Sequence, residues 1–178
     1  MMAKKILFII AQEGFRDEEL FVPKAICEGA GFKCVVASIT TNEAHGKLGA
    51  TIKPDIAVKD VSVDDYELCA VIGGPGAPKL ADYPEVAEKL NEFQKHGKKM
   101  AAICYAPTVL AKAGLLRGRK ITAYQDEYSL PILQNGGAEL TSDAVYRDGD
   151  LITAAGPFAA EEFGKALVNI INEKAPVA

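Results

Sequence analysis

Short apolar runs alternate with longer amphipathic segments along the whole chain, and this alternation constrains the fold more than any other feature. Residues 6–11 are apolar at every position, as a strand covered on both faces must be. Residues 34–38, 69–72, 100–103 and 120–123 read as further strands, and residues 51–58 as strand-like pieces. Between them, residues 17–31, 83–97, 105–116 and 157–173 read as helices. In the first helix Asp17 is the expected N-cap and Gly29 or Gly31 the stop, while Pro23 predicts a bend or a later start. In the second, Val86, Leu90 and Phe93 share one face. Residues 40–49 are polar and read as a loop. Asp148-Gly149, between two β-prone triplets, predicts a two-residue hairpin. The pattern predicts one α/β domain over residues 1–178, with a mostly parallel sheet between helices and a small antiparallel hairpin.

Charge and composition exclude several function classes. The net charge is −4, and the densest basic stretch, Lys95 to Lys99, sits between a helix and a strand, so no phosphate-neutralising surface is expected. No apolar run approaches the roughly 20 residues needed to span a bilayer. The first apolar run follows Lys4-Lys5 but leads into acidic residues without a cleavage site, so a buried strand and a cytoplasmic location are expected. Cys27, Cys34, Cys69 and Cys104 form no CxxC pair, and His45 and His96 are the only imidazoles, which leaves little for a zinc or redox-pair site. Three of the four cysteines are expected to be reduced core residues.

Three segments carry possible chemistry at the carboxyl ends of the strands, where ligands bind in such sheets. Ala101-Ala102-Ile103-Cys104-Tyr105-Ala106-Pro107 passes from strand to helix with a nucleophile at the join, the plan of a nucleophile elbow. Ala102 and Ala106 are small because a sharp turn brings them together, and Pro107 suits a first helical turn. The helix N-terminus beside the sulfur predicts a thiol pKa below the ordinary ~8.5. Gly73-Gly74-Pro75-Gly76 follows a strand, so the N–H groups of Gly74 and Tyr105 are candidate oxyanion donors. It lacks the GxGxxG and Gly-Lys-Ser/Thr patterns of nucleotide loops. In Asp17-Glu18-Glu19, a carboxyl facing the sulfur repels a thiolate when ionised and donates a hydrogen bond to it when protonated. On spacing alone, a buried structural cysteine accounts for Cys104 equally well, and a glycine-rich turn is usually only a turn.

Together the segments resemble the PfpI family of the DJ-one superfamily. The residues carrying the likeness are Lys5 to Ile9, Glu19 four residues before Pro23, Gly46, Gly49, Gly73-Gly74, the Ala101 to Pro107 segment, Ala113 to Gly118, Asn135 to Ala138 and Val145 to Gly156. The resemblance implies a flavodoxin-like three-layer sandwich, a homodimer or higher oligomer, and neither metal nor organic cofactor. It implies that Cys104 is the nucleophile, Glu19 the acid beside it, and Gly74 and Tyr105 the main-chain oxyanion donors. Tyr124 and Asp126, after a strand at the same end, are loop residues or substrate contacts. Peptidase-like members carry a His where this chain has Tyr105, and His45 and His96 fall in solvated loops. The resemblance therefore implies a stress-response cysteine enzyme acting on reactive carbonyls, as a glyoxalase or protein deglycase, on a small carbonyl or a glycated or unfolded protein. The alternatives are an ATP-independent cysteine peptidase and a redox sensor or chaperone.

Overall fold

The structure is a computed structural model describing residues 2–173. Residues 1 and 174–178 of the expected domain lie outside the described residues. In chain order the elements are β1 (Lys5–Ile9), β2 (Glu13–Phe15), α1 (Asp17–Gly29), β3 (Lys33–Ser38), β4 (Ala44–Gly46), β5 (Thr51–Ile52) and β6 (Ile56–Ala57). They continue with β7 (Leu68–Val71), α2 (Pro84–Lys95), β8 (Lys99–Ile103), α3 (Ala106–Lys112), β9 (Lys120–Ile121) and α4 (Ser129–Asn135). The last are β10 (Glu139–Leu140), β11 (Val145–Asp148), β12 (Leu151–Ala154) and α5 (Ala160–Asn172).

Seven strands form the central sheet in the order β11-β12-β8-β7-β1-β3-β6, all parallel except β11. The chain builds outward from β1 in one direction through β3 and β6, then in the other through β7, β8 and β12. The strand order therefore reverses between β1 and β7, where α/β sheets open a crevice. Alternate strand residues feed two cores. Leu7, Ile9, Val71 and Ala102 pack with α2, α3 and α4, while Phe8, Ala70, Ala101 and Ile103 pack with α1 and α5. Phe163, Leu167, Ile170 and Ile171 are all buried, and their helical spacing holds α5 to the sheet, each side chain contributing about 1.5–3 kcal/mol.

The fold is the predicted three-layer sandwich, with local corrections. Arg16, not Asp17, is the N-cap of α1; Asp17 is helical, and its carboxylate accepts from the main-chain N–H groups of Leu48 (3.0 Å) and Ala50 (2.9 Å). Pro23 lies within α1 without delaying its start. The 40–49 loop contains β4, which pairs with β2 in a separate three-stranded sheet. Helix α3 ends at Lys112 rather than 116, because Gly114 turns left-handed (φ 80°). The hairpin register pairs Asp148 with Leu151, so its turn is Gly149-Asp150, one residue later than expected, with Gly149 at φ 61°. Cys27 and Cys69 are buried core thiols, but Cys34 is only half-buried, its thiol 3.7 Å from the Lys24 carbonyl oxygen.

Helix α5 crosses α1 at Gly164, where a Cβ atom would lie 2.8 Å from the Pro23 Cα and 2.9 Å from Ile26 Cδ1. Gly164→Val therefore forces the two helices apart and is expected to lower unfolding free energy by about 1–3 kcal/mol, the usual penalty of overpacking. Urea unfolding checks this; a variant as stable as the wild type would show that the crossing has slack.

Candidate active site

Strand β8 delivers Cys104 into the crevice, and α3 begins two residues later. Cys104 has φ 64° and is the only non-glycine residue with positive φ among the described residues. Such a conformation persists only where surrounding bonds over-determine it. Here the Cys104 N–H donates to the Ala154 carbonyl (2.9 Å), and the Cys104 carbonyl accepts from Tyr124 N–H (3.0 Å). These bonds lock the elbow between β12 and the segment after β9, and hold the sulfur at the edge of a cavity of about 240 Å³.

Glu19 sits in the first turn of α1, fully buried. Gly73 separates it from the cysteine: a Cβ there would meet Glu19 Oε1 at 2.5 Å and Cys104 Cβ at 2.6 Å. Only glycine lets the carboxyl and the thiol meet. Gly74 (φ 105°) must also lack a side chain, because a Cβ would lie 2.4 Å from the Arg16 main-chain nitrogen. The main-chain N–H groups of Gly74 and Tyr105 pull the thiol pKa down and that of Gly73 pulls the carboxyl down, but both Glu19 carboxylate oxygens are buried without a hydrogen-bond partner.

Burial is the largest influence on both titrating groups. It raises the Glu19 carboxyl to about 7, against the opposing pull of the Cys104 thiol, the Gly73 N–H and the Arg16 charge. Burial, then the Glu19 charge, pushes the Cys104 thiol up to about 12, although the Gly74 and Tyr105 N–H groups pull the other way. This reverses the low thiol pKa expected from the helix N-terminus. A short helix dipole does not outweigh loss of water and an adjacent carboxylate. Of the two, Glu19 is the first to lose its proton, near neutrality, and the thiol then holds its own tightly.

Cys104, Glu19, Gly74, Tyr105 and Tyr124 all line the cavity, together with Arg16, Lys47, Pro75 and Pro157. Asp126 does not. Its carboxylate accepts from the Tyr105 hydroxyl and from the main-chain N–H groups of Tyr128 (3.0 Å) and Ser129 (2.9 Å), so it caps α4 and fixes the Tyr105 ring. The rings of Tyr124 and Tyr128 stack edgewise on Tyr105 at 5.3 and 5.8 Å. The histidines stand elsewhere: His45 Nδ1 is 2.7 Å from Glu13 Oε1, and His96 Nδ1 is 2.8 Å from Asp64 Oδ1. Among the described residues no group of three or more His, Cys, Asp or Glu side chains could hold a metal, and no helix is long and apolar enough to cross a membrane.

Sequence reasoning missed Arg16 and Lys47. Lys47 reaches the cavity because β4 pairs with β2 and the Lys47 N–H donates to the Phe15 carbonyl (2.8 Å). The Asp17 carboxylate then pins the following turn, and Gly46 is needed there because a Cβ would lie 2.3 Å from Asp17 Oδ1.

Comparison with known proteins finds relatives along nearly the whole chain. The chain is similar to an uncharacterized protein of Methanocaldococcus jannaschii, 38% identical over 174 residues that cover 97% of this chain and 85% of the relative. It is also similar to the glutathione-independent glyoxalase DJR-1.2 of Caenorhabditis elegans, 30% identical over 168 residues, 94% of this chain and 89% of that protein. Among solved structures, the ThiJ/PfpI domain protein from Brachyspira murdochii superposes with a TM-score of 0.92 at 27% identity, covering 98% of this chain and 100% of that one. The model of the DJ-1/PfpI family matches residues 4–170, so the elbow, the carboxyl beside it and the glycine turn all lie within the match, and the chain belongs to the DJ-1/PfpI family.

Proposed function

We propose that the protein converts reactive α-oxoaldehydes into 2-hydroxy acids at Cys104, without a cofactor. The observation that carries this reading is the buried Glu19 carboxyl lining the same small cavity as Cys104, with neither histidine in its lining. An aldehyde beside a ketone is electrophilic enough to be attacked without an imidazole, whereas an unactivated amide requires a base to deliver and remove protons. The family's glyoxalase-named relative supports the same substrate class.

In this scheme the Glu19 carboxylate takes the Cys104 proton as the sulfur adds to the aldehyde carbon, and the developing alkoxide meets the N–H groups of Gly74 and Tyr105. The hemithioacetal forms when the alkoxide takes a proton from Glu19. The Glu19 carboxylate then removes the hydrogen on the former aldehyde carbon, giving an enediolate, and returns that proton to the neighbouring carbon, while the hydroxyl proton passes from the first oxygen to the second. The product is a thioester, which water hydrolyses to the 2-hydroxy acid and the free thiol. The net change is addition of one water, so no external oxidant or reductant is needed.

The purified protein is expected to form lactate from methylglyoxal, and Cys104→Ala to form none above the uncatalysed rate. Casein digestion run alongside separates the alternative: Cys104-dependent proteolysis without lactate formation would replace this reading with a peptidase.

A further inference from the structure

The cavity is not a neutral pocket. Two cationic side chains line it beside the sulfur, Arg16 and Lys47, and neither is used in the scheme above. Glu18 Oε1 accepts from Arg16 Nη2 (2.8 Å), but Arg16 Nε is buried and has no hydrogen-bond partner. A buried guanidinium N–H left unpaired is costly unless a ligand or water completes it. Lys47 makes no ion pair among the described residues, although its side chain is exposed. Tyr124, Pro75 and Pro157 add apolar surface to the lining. Glu19 opposes them with a full charge only above about pH 7.

We infer that the site selects α-oxoaldehydes bearing a carboxylate at the end remote from the aldehyde, with Arg16 and Lys47 binding that carboxylate and Cys104 meeting the aldehyde carbon. The inference rests on the proposed carbonyl chemistry for its substrate class, but the cation pair is a property of the site itself. A short chain laid along the tyrosine and proline surface links the two ends. The planar guanidinium edge fits a carboxylate, and Lys47 adds charge without fixed geometry. The covalent steps are those given above, since the carboxylate takes no part in them.

Alkylation of Cys104 tests the cation pair independently of turnover. Iodoacetate and iodoacetamide place a negative and a neutral group on the same reactive carbon. The ratio of their rates at Cys104, measured by peptide mass spectrometry, is expected to exceed that of free glutathione in the same buffer by about tenfold at low ionic strength, and to shrink as salt rises. Lys47→Gln is expected to remove most of this preference, Lys47→Glu to reverse it, and Lys47→Arg to retain it. As Lys47 is exposed, these variants keep the fold. In turnover, Lys47→Gln is expected to lower the preference for the carboxylate-bearing substrate 4,5-dioxopentanoate over methylglyoxal, read as the ratio of their specificity constants. A rate ratio at Cys104 equal to that of glutathione, unchanged in the Lys47 variants, would overturn the inference even if methylglyoxal were converted. An alkylation preference without turnover of either dicarbonyl would instead fell the catalytic reading and leave the anion subsite standing.

Discussion

Glu19→Gln is expected to lower kcat/KM for methylglyoxal by about 10²–10⁴-fold, the usual contribution of a positioned acid–base group. The amide keeps the size and burial of the carboxyl but can accept neither the substrate hydrogen nor the proton of the thiol. A signature separates this from a structural defect. In the wild type burial and the Glu19 charge hold the thiol at about 12, so the alkylation rate of Cys104 should keep climbing well past neutrality. In Glu19→Gln the thiol titrates alone. Burial still raises it, but the adjacent charge is gone, so above about pH 7 its alkylation rate should exceed that of the wild type. If both proteins gave the same pH profile, the Glu19 charge would have no influence on the sulfur.

The same residue should make the protein's stability depend on pH in an unusual direction. In the unfolded chain the Glu19 carboxyl ionises near 4.5; in the folded protein burial raises this to about 7. Between those values the folded state holds a proton that the unfolded state has lost. The stabilising contribution is complete below pH 4.5 and disappears as pH rises through 7. The shift corresponds to roughly 3 kcal/mol. Other groups titrate over the same range, so the informative quantity is the difference between proteins. Relative to Glu19→Gln, the wild type should lose about 3 kcal/mol of unfolding free energy between pH 4 and pH 8. Urea unfolding across that range reads it directly. Parallel curves would mean that Glu19 is not buried in ionised form at neutral pH.

These effects share a structural origin. The site joins a strained elbow, a buried carboxyl and a glycine turn that no Cβ could enter. Each is unfavourable or restrictive for folding alone, and together they bring a nucleophile and an acid into contact out of water. The sheet absorbs this strain, because the Cys104 main chain is bonded on both sides to neighbouring segments.

Much of this was legible in the sequence. Apolar runs mark β1, β3, β7 and β8, and helical spacing marks α2 and α5, because periodicity and burial on both faces are written into consecutive residues. The elbow is equally local: strand, cysteine and helix start occupy seven consecutive positions. Helix α4 was not legible. It spans seven residues, contains Pro131, and is capped by Asp126, which in sequence reads as a loop or site residue. The role of Asp126 as the anchor of the Tyr105 hydroxyl depends on a fold of the chain between them, which periodicity does not encode.

The sequence by itself determined the layers, the principal strands and helices, and the turn that carries Cys104, since each follows from neighbours along the chain. Only the tertiary structure decided what surrounds that cysteine. Lys47 arrives through the pairing of β4 with β2, Arg16 and Glu19 come from α1 and its N-cap, and Gly73 allows the carboxyl and the thiol to meet. The proton affinity of the pair was decided there too, in the direction opposite to the local expectation. A helix terminus is a short-range feature of the chain, whereas desolvation and charge act through space between segments far apart in sequence.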